Sequence, residues 1–183
     1  MADVTTLIHA ANHGNPQAVS ELFVALYDDL HRLAKSRMRR SDPLTLLDTT
    51  SLVHESYVRF IRAGDLKIND RGHFLAYAAK VMRNIVVDLI RERSAERRGG
   101  AGIHIPLDTQ IADSVSSREN EVLGVHEALE ELATVDERLV KVVELRYFAG
   151  LTEEEVASVL GVSERTVRRD WEKARLLLAT MLR

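Results

Sequence analysis

Apolar residues recur three or four positions apart along most of the 183-residue chain. Residues with that spacing share one face of an α-helix, so each apolar stripe predicts an amphipathic helix with one buried side. The stripes lie at residues 4–13, 19–33, 50–63, 71–93, 122–132 and 139–147. Only three prolines interrupt the chain. The pattern therefore predicts an all-α protein.

Residues 151–175 carry the pattern of a helix-turn-helix. Thr152 and Glu155 have the spacing of a capping box, which satisfies backbone donors at the start of a helix. Gly161 is suited to end that helix, and Ser163 is suited to cap the next one. A short helix, a glycine turn and a second helix form the unit that docks in the DNA major groove. The same spacing also fits an ordinary helical hairpin with a solvated basic face.

The charge distribution favours DNA binding for this hairpin. The chain has a net charge of −3, and residues 119–183 hold 9 Lys/Arg against 14 Asp/Glu. Residues 165–183 nevertheless hold 6 basic and 2 acidic side chains. Positive charge concentrated on one helix of an acidic region suits a phosphate-facing surface. The polar residues left for solvent or DNA are Arg165, Thr166, Arg168, Arg169 and Lys173.

The longest stripe, at 71–93, has a polar face opposite its apolar one. That face combines positive charge with groups that can hydrogen-bond base edges. Its members are Lys80, Arg83, Asn84, Asp88 and Arg91. A nucleic-acid surface and a salt-bridged outer face both fit this composition.

Residues 94–118 show no sustained periodicity and contain three glycines and one proline. Such a composition predicts a flexible linker. We therefore expect two small helical domains, 1–93 and 119–183, joined by a linker at 94–118.

Composition excludes several other classes of protein. The chain has no cysteine, which excludes disulfides and thiolate metal sites. No apolar run approaches the roughly 20 residues that span a bilayer, and the N-terminus lacks the layout of a signal peptide. We therefore expect a cytoplasmic protein without membrane contact. His54 and Glu55 suggest a zinc-protease helix, but Val58 stands where the second histidine is required. No catalytic constellation, metal site or cofactor site emerges, so we expect no enzyme.

Three blocks, in this order, resemble extracytoplasmic-function (ECF) sigma factors. They read LVHESYVRFIRA, FLAYAAKVMRNIVVDLIRERSAERR and ALEELATVDERLVKVVELRYFAGLTEEEVASVLGVSERTVRRDWEKAR. The resemblance covers nearly the whole chain. It implies sigma region 2 at 1–93, sigma region 4 at 119–183, and an alternative sigma factor that directs core RNA polymerase to promoters. It implies no cofactor.

The resemblance also assigns roles to residues. Region 4 would contact the −35 element through Ser163, Arg165, Thr166, Arg168, Arg169 and Lys173. Region 2 would contact the −10 element through Lys80, Arg83, Asn84, Asp88 and Arg91. The loop Leu66–His73, here called the capture loop, would take a base out of the stack. Tyr77 would assist by stacking, and Phe74 is expected in the core. The helix that contacts the clamp helices of the large polymerase subunit would use Asp48, Leu52, Val53, Glu55 and Arg59.

The start of this polymerase-facing helix departs from the family pattern. Relatives usually have a run of the kind Asp-Ala-Glu-Asp where this chain has Asp48, Thr49, Thr50 and Ser51. Two expected carboxylates are hydroxyls, and losing their charge should weaken docking. A phosphate adds about −1.5 to −2 charge and is favoured at a helix N-terminus. We therefore predict activation by a Ser/Thr protein kinase at Thr50, or second at Ser51, rather than by release from an anti-sigma factor. The alternative is that Thr50 caps the helix and Asp48 and Glu55 suffice for docking.

Two other functions remain open at this point: a DNA-binding regulator with an N-terminal sensor domain, and a protein-interaction adaptor. The charge pattern makes one further prediction, that the acidic C-terminal region packs against the basic end of region 2 and masks the recognition helix.

Overall fold

The computed structural model describes residues 3–41, 47–63, 67–98 and 109–182, and within these ranges every regular element is a helix. The all-α prediction is confirmed. The helices are α1 Val4–Asn12, α2 Pro16–Ala25, α3 Tyr27–Ser41, α4 Thr49–Ala63, α5 Arg71–Arg98, α6 Thr109–Val135, α7 Glu137–Val143, a π-helical turn Glu144–Phe148, α8 Glu153–Leu160 and α9 Glu164–Met181.

The stripe at 19–33 forms two helices rather than the single one that its periodicity predicts. Helix α2 ends at Ala25 and α3 begins at Tyr27, with Leu26 between them at φ −109° and ψ 16°. Leu22, Leu26 and Leu30 nevertheless remain buried. Periodicity could not detect the break because the apolar face continues across it.

Helix α5 is the centre of the N-terminal half. Phe74, Met82 and Ile85 on α5 are almost fully buried. The rings of Phe60 and Phe74 lie 5.2 Å apart, and each lies within 5.6 Å of the Phe23 ring. Burial of Phe74 agrees with the expectation from the sequence.

Helices enter the segment 94–118 from both ends. Helix α5 extends to Arg98 and α6 begins at Thr109, and residues 99–108 lie outside the described residues. The flexible-linker prediction is therefore wrong for 94–98 and 109–118. Glu, Arg and Ala in the first of these stretches sustain a helix without adding an apolar stripe.

The last stripe also departs from a regular α-helix. Helix α7 gives way to the π-helical turn, where the N–H of Ala149 donates to the carbonyl of Glu144 at 2.8 Å. Tyr147 is consequently 49% exposed, although its spacing predicts an inward position. The wider turn displaces later residues from the face that a 3.6-residue period assigns to them.

The two halves share one apolar core. Leu145, Val156 and Val167 belong to the same buried cluster as Phe74 and Met82. A smaller cluster of Leu129, Leu132, Leu139, Val143 and Ala174 lies within the C-terminal half. The predicted packing of the C-terminal region against region 2 is confirmed.

Gly72 permits the closest approach between the halves. A Cβ atom at this position, on the first turn of α5, would lie far inside van der Waals contact with the side chain of Val159 on α8. Only a residue without a side chain lets α8 come this near.

Candidate nucleic-acid and polymerase interfaces

The helix-turn-helix forms as its local sequence predicts. Thr152 and Glu155 complete the capping box: the Glu155 N–H donates to the Thr152 hydroxyl at 3.2 Å, and the Thr152 N–H donates to the Glu155 carboxylate at 2.8 Å. Gly161 has a left-handed φ of 63°. Ser163 caps α9 by accepting the Thr166 N–H at 3.3 Å. These bonds fix the start and direction of α9.

A buried carboxylate anchors α9 from behind. Asp170 is 2% exposed and accepts a hydrogen bond of 2.7 Å from Nε of Arg138 on α7. Its neighbours Val167 and Ala174 are also buried. The sequence analysis did not single out Asp170. The available signal was an acidic residue placed three positions after Val167, on the apolar face of the helix.

The opposite side of α9 presents its cations to solvent. The side chain of Arg168 is 63% exposed and donates to Glu153 on α8 at 2.9 and 3.2 Å. This bond is the main reason that the pKa of Glu153 lies below its usual value. Arg169 contacts Asp170 at 3.3 Å, and Lys173 lies 3.9 Å from Asp136. Weak, exposed pairs of this kind exchange readily for phosphate contacts.

Arg165 differs from the other predicted contact residues of α9. It is exposed and forms no ion pair within the described ranges. Thr166 is half-buried, with its hydroxyl 3.0 Å from that of Ser163. The structure thus brings the predicted −35 residues together on the first turns of α9.

The predicted −10 face of α5 is partly covered. Arg83 is 6% exposed, and its Nε lies 3.0 Å from Oε1 of Glu144, which is equally buried. Arg83 also contacts Glu130 on α6 at 3.4 Å and Nδ1 of His126 at 2.9 Å. We call these four residues the Arg83 cluster. The packing therefore masks α5, whereas the sequence predicted a masked recognition helix.

The Arg83 cluster requires a neutral imidazole. A guanidinium has no acceptor, so Nδ1 of His126 must accept its hydrogen bond and carry no proton. Burial, followed by the nearby charge of Arg83, lowers the pKa of His126. Geometry and electrostatics thus agree on the charge state.

The other members of the −10 face surround an open cleft between α5 and α6. Lys80, Asp88 and Arg91 are exposed. Asp88 accepts a hydrogen bond of 3.0 Å from Arg59 of α4. Oδ1 of Asn84 is buried without a hydrogen-bond partner among the described residues. The cleft therefore keeps three exposed charged groups and one unused acceptor.

Helix α4 is oriented by its buried face. Leu52 is fully buried and Val53 is 2% exposed, so neither can contact a partner protein, and their assignment as polymerase contacts is wrong. They lie on the stripe that ends at Phe60. Glu55 and Arg59 are partly exposed and lie 3.8 Å apart.

The exposed side of α4 includes two apolar residues that the sequence analysis missed. Val58 is 37% exposed, and Ile61, predicted to face inward, is 41% exposed. They are three positions apart and lie off the buried stripe. An apolar pair at helical spacing beside a complete buried stripe was the available signal.

Asp48 caps α4. Its carboxylate accepts the Ser51 N–H at 2.7 Å, and this bond is the main reason that its pKa lies below the usual value. The alternative that Thr50 is the cap is therefore wrong. Thr50 is exposed, and its hydroxyl has no hydrogen-bond partner in the part of the chain that the structure describes. The first turn of α4 contains no acidic residue.

The capture loop is described from residue 67 onward, and Leu66 lies outside the described residues. Asp70 caps α5 by accepting the His73 N–H at 2.8 Å. Ile68 is buried, whereas Lys67 and Asn69 are exposed. Tyr77 is half-buried, with its ring 4.9 Å from the Phe60 ring.

An exposed arginine-bearing helix in a helix-turn-helix, joined to a second helical region, defines a DNA-binding transcription factor of the helical class. A family model described as ECF sigma factor matches residues 1–183. The chain belongs to the ECF sigma factor family. Comparison with curated proteins gives no match, and neither does comparison with solved structures.

Family membership makes this chain an RNA polymerase-binding transcription initiation factor that binds promoter DNA, and not an enzyme. It decides against the adaptor and against the simple DNA-binding regulator. Within the described ranges, no helix has the length and apolar character needed to cross a bilayer.

Proposed function

We propose that this protein is an alternative sigma factor that reads a −35 element with α9 and a −10 element with α5. The exposed, cationic start of α9 carries this proposal, because a capped helix N-terminus flanked by arginines suits the major groove. The −35 contacts are Ser163, Arg165, Thr166, Arg168, Arg169 and Lys173.

The −10 contacts are assigned to Lys80, Arg83, Asn84, Asp88 and Arg91. The unpaired acceptor of Asn84 and the cations at the rim of the cleft support this assignment. Arg83 becomes available only when the Arg83 cluster separates. Release from Glu144 and Glu130 would exchange carboxylates for DNA phosphates or base edges.

The exposed side of α4 is assigned to the clamp helices of the large polymerase subunit. Asp48, Glu55 and Arg59 supply charge there, and Val58 and Ile61 supply an apolar contact. Leu52 and Val53 hold the helix in place from the core. Since core RNA polymerase is a cytoplasmic enzyme in bacteria, we assign the protein to the cytoplasm.

Docking is proposed to depend on phosphorylation by a Ser/Thr protein kinase, without an anti-sigma factor. Thr50 is the preferred acceptor because its hydroxyl is exposed and unused, whereas the Ser51 hydroxyl hydrogen-bonds the Asp48 carboxylate. A phosphate on Thr50 would add negative charge to a helix N-terminus whose first turn has none. It would restore the acidic character that the polymerase contact needs.

Binding to purified core RNA polymerase tests the phosphorylation proposal. Thr50→Glu should bind several-fold more tightly than wild type, as a lower limit because a carboxylate carries less charge than a phosphate. Thr5→Glu is a matched control: Thr5 is exposed and occupies the second position of α1, as Thr50 does in α4. Equal binding by wild type and Thr50→Glu would refute the phosphorylation proposal.

A test in cells separates docking from phosphorylation. Thr50→Ala should abolish activation of a target promoter, while Thr5→Ala should leave it unchanged. Full activation by Thr50→Ala would show that Thr50 is not the acceptor that matters. Failure of every form of the protein to bind polymerase would instead refute the assignment of α4.

The free protein is proposed to rest in the closed arrangement and to open on the polymerase. Small-angle scattering tests this directly, because a compact chain of this length has a radius of gyration of about 16 Å. A dumbbell-shaped free monomer would contradict the proposal.

A further inference from the structure

One side chain of α1 holds the capture loop. Nδ2 of Asn12, the last residue of α1, donates to the carbonyl of Ile68 at 2.5 Å. Oδ1 of the same amide accepts the Ile68 N–H at 3.0 Å. A single side chain thus satisfies both backbone groups of one loop residue that lies 56 positions further along the chain.

The arrangement of donors and acceptors fixes the orientation of this amide. Rotating it by half a turn would place NH₂ against N–H and oxygen against oxygen, so only the observed orientation is bonded. The amide occupies the position that a paired strand would occupy beside Ile68. Asn12 itself is half-buried, and the adjoining turn of the chain includes Gly14 at a left-handed φ of 75°.

Fixing Ile68 determines what the loop presents to solvent. Its side chain is 3% exposed and belongs to the main core. The neighbours on both sides, Lys67 and Asn69, are exposed, as expected when residues alternate along an extended segment. Two residues further on, the Asp70 cap joins the loop to α5. The loop is therefore held at two points, with Lys67 and Asn69 turned outward.

We propose that Asn12 is a positioning residue for promoter opening, because it pre-orders the capture loop so that Lys67 and Asn69 meet an unstacked nucleotide of single-stranded promoter DNA. The inference rests on the proposed −10 role of α5. Capturing a base requires unpairing and unstacking it, and a loop that is already ordered does not add its own ordering cost. Helix α1 thereby acquires a role in opening without touching DNA.

The test uses holoenzyme assembled with the full chain at saturating concentration over core polymerase. The probe is a promoter duplex that wild-type holoenzyme selects from a library randomised in its −10 and −35 segments. Permanganate reactivity of unpaired thymines follows opening. A second probe has the same sequence with its −10 segment already unpaired by mismatches.

Asn15→Ala is the matched control for Asn12→Ala. Asn15 lies in the same turn between α1 and α2, and its side chain also bonds two backbone groups, the N–H groups of Gln17 and Ala18. Those bonds cap α2 and do not involve the loop. A general loss of stability should therefore affect both variants alike.

Asn12→Ala should open the duplex probe about tenfold more slowly than wild type, with less than about threefold loss on the unpaired probe. Its selected library should show a weaker base preference in the −10 segment and an unchanged −35 preference. Asn15→Ala should match wild type in both respects. Equal slowing by the two variants, or no slowing by Asn12→Ala, would overturn the inference. If wild-type holoenzyme selects no promoter, the proposed function itself fails.

Discussion

Arg83 of α5 and Glu144 of the π-helical turn form an ion pair of 3.0 Å in which each side chain is only 6% exposed. This pair joins the predicted −10 face to the C-terminal half. A buried charge that loses its partner is left desolvated and uncompensated, which is far more destabilising than the loss of an exposed pair.

Glu144→Gln should lower the free energy of unfolding by about 3 kcal/mol, near the lower end for a broken buried pair because Arg83 retains His126 and Glu130. Urea denaturation measures this. Glu137→Gln is the control, because Glu137 is exposed and pairs only with Lys141 at 3.2 Å; it should change stability by less than about 0.5 kcal/mol. Similar losses in both variants would show that the buried pair has no special role.

Gly72→Ala should loosen the contact between α5 and α8, because the added methyl group would collide with Val159. Overpacking of this kind destabilises by about 1–3 kcal/mol. Gly124→Ala is the control: its nearest neighbour would be Leu182 at 3.9 Å, an ordinary contact. There the better helix propensity of alanine should stabilise by up to about 1 kcal/mol. Thermal unfolding distinguishes the two signs, and recovery in Gly72→Ala/Val159→Ala would confirm the cause.

Arg165→Ala should weaken holoenzyme binding to the −35 element by about 1–3 kcal/mol if Arg165 reads a base. Competition between matched and mutated −35 duplexes tests this. If Arg165 instead contacts phosphate, binding should fall equally for both duplexes and the salt slope should decrease by about 1. Arg175→Ala, ten positions further along the same helix, is the control. Equal effects of the two substitutions would contradict a specific role for Arg165.

Acidification should destabilise the closed arrangement through His126. Its folded-state pKa is lowered from the 6.5 of an exposed imidazole, so the folded protein binds fewer protons than the unfolded chain. Stability should be constant above about pH 6.5 and fall as the pH drops below that value toward the folded-state pKa. Denaturation midpoints at several pH values measure the slope. His126→Gln should reduce it and His54→Gln should not; an unchanged slope in His126→Gln would exclude this residue as the cause.

The sequence predicted features whose causes are local. The capping box at Thr152, the left-handed Gly161 and the Ser163 cap depend only on residues within one or two turns, and all three form. The helices α4 and α5 begin within one residue of the starts that their apolar stripes predict. Candidate contacts on α9 were also found because exposed cations there are not recruited into the core.

Features that depend on distant neighbours could not be predicted. The exposure of Ile61 depends on which face of α4 the other helices cover, and the burial of Arg83 depends on acids more than 40 residues away. Leu52 and Val53 illustrate the same limit, since a motif shared with relatives does not say which of its side chains face inward. The Asn12–Ile68 pair has no sequence signal, because a half-buried asparagine at a helix end resembles any cap.

The shared core makes folding and activity parts of one equilibrium. Leu145, Val156 and Val167 complete a cluster whose other members lie in the N-terminal half, so separation of the halves exposes apolar surface on both. The free chain should consequently melt in one calorimetric transition rather than two. On the polymerase, the enzyme's own surface must replace the lost burial, and in that sense the polymerase acts as a chaperone for the working conformation of its subunit.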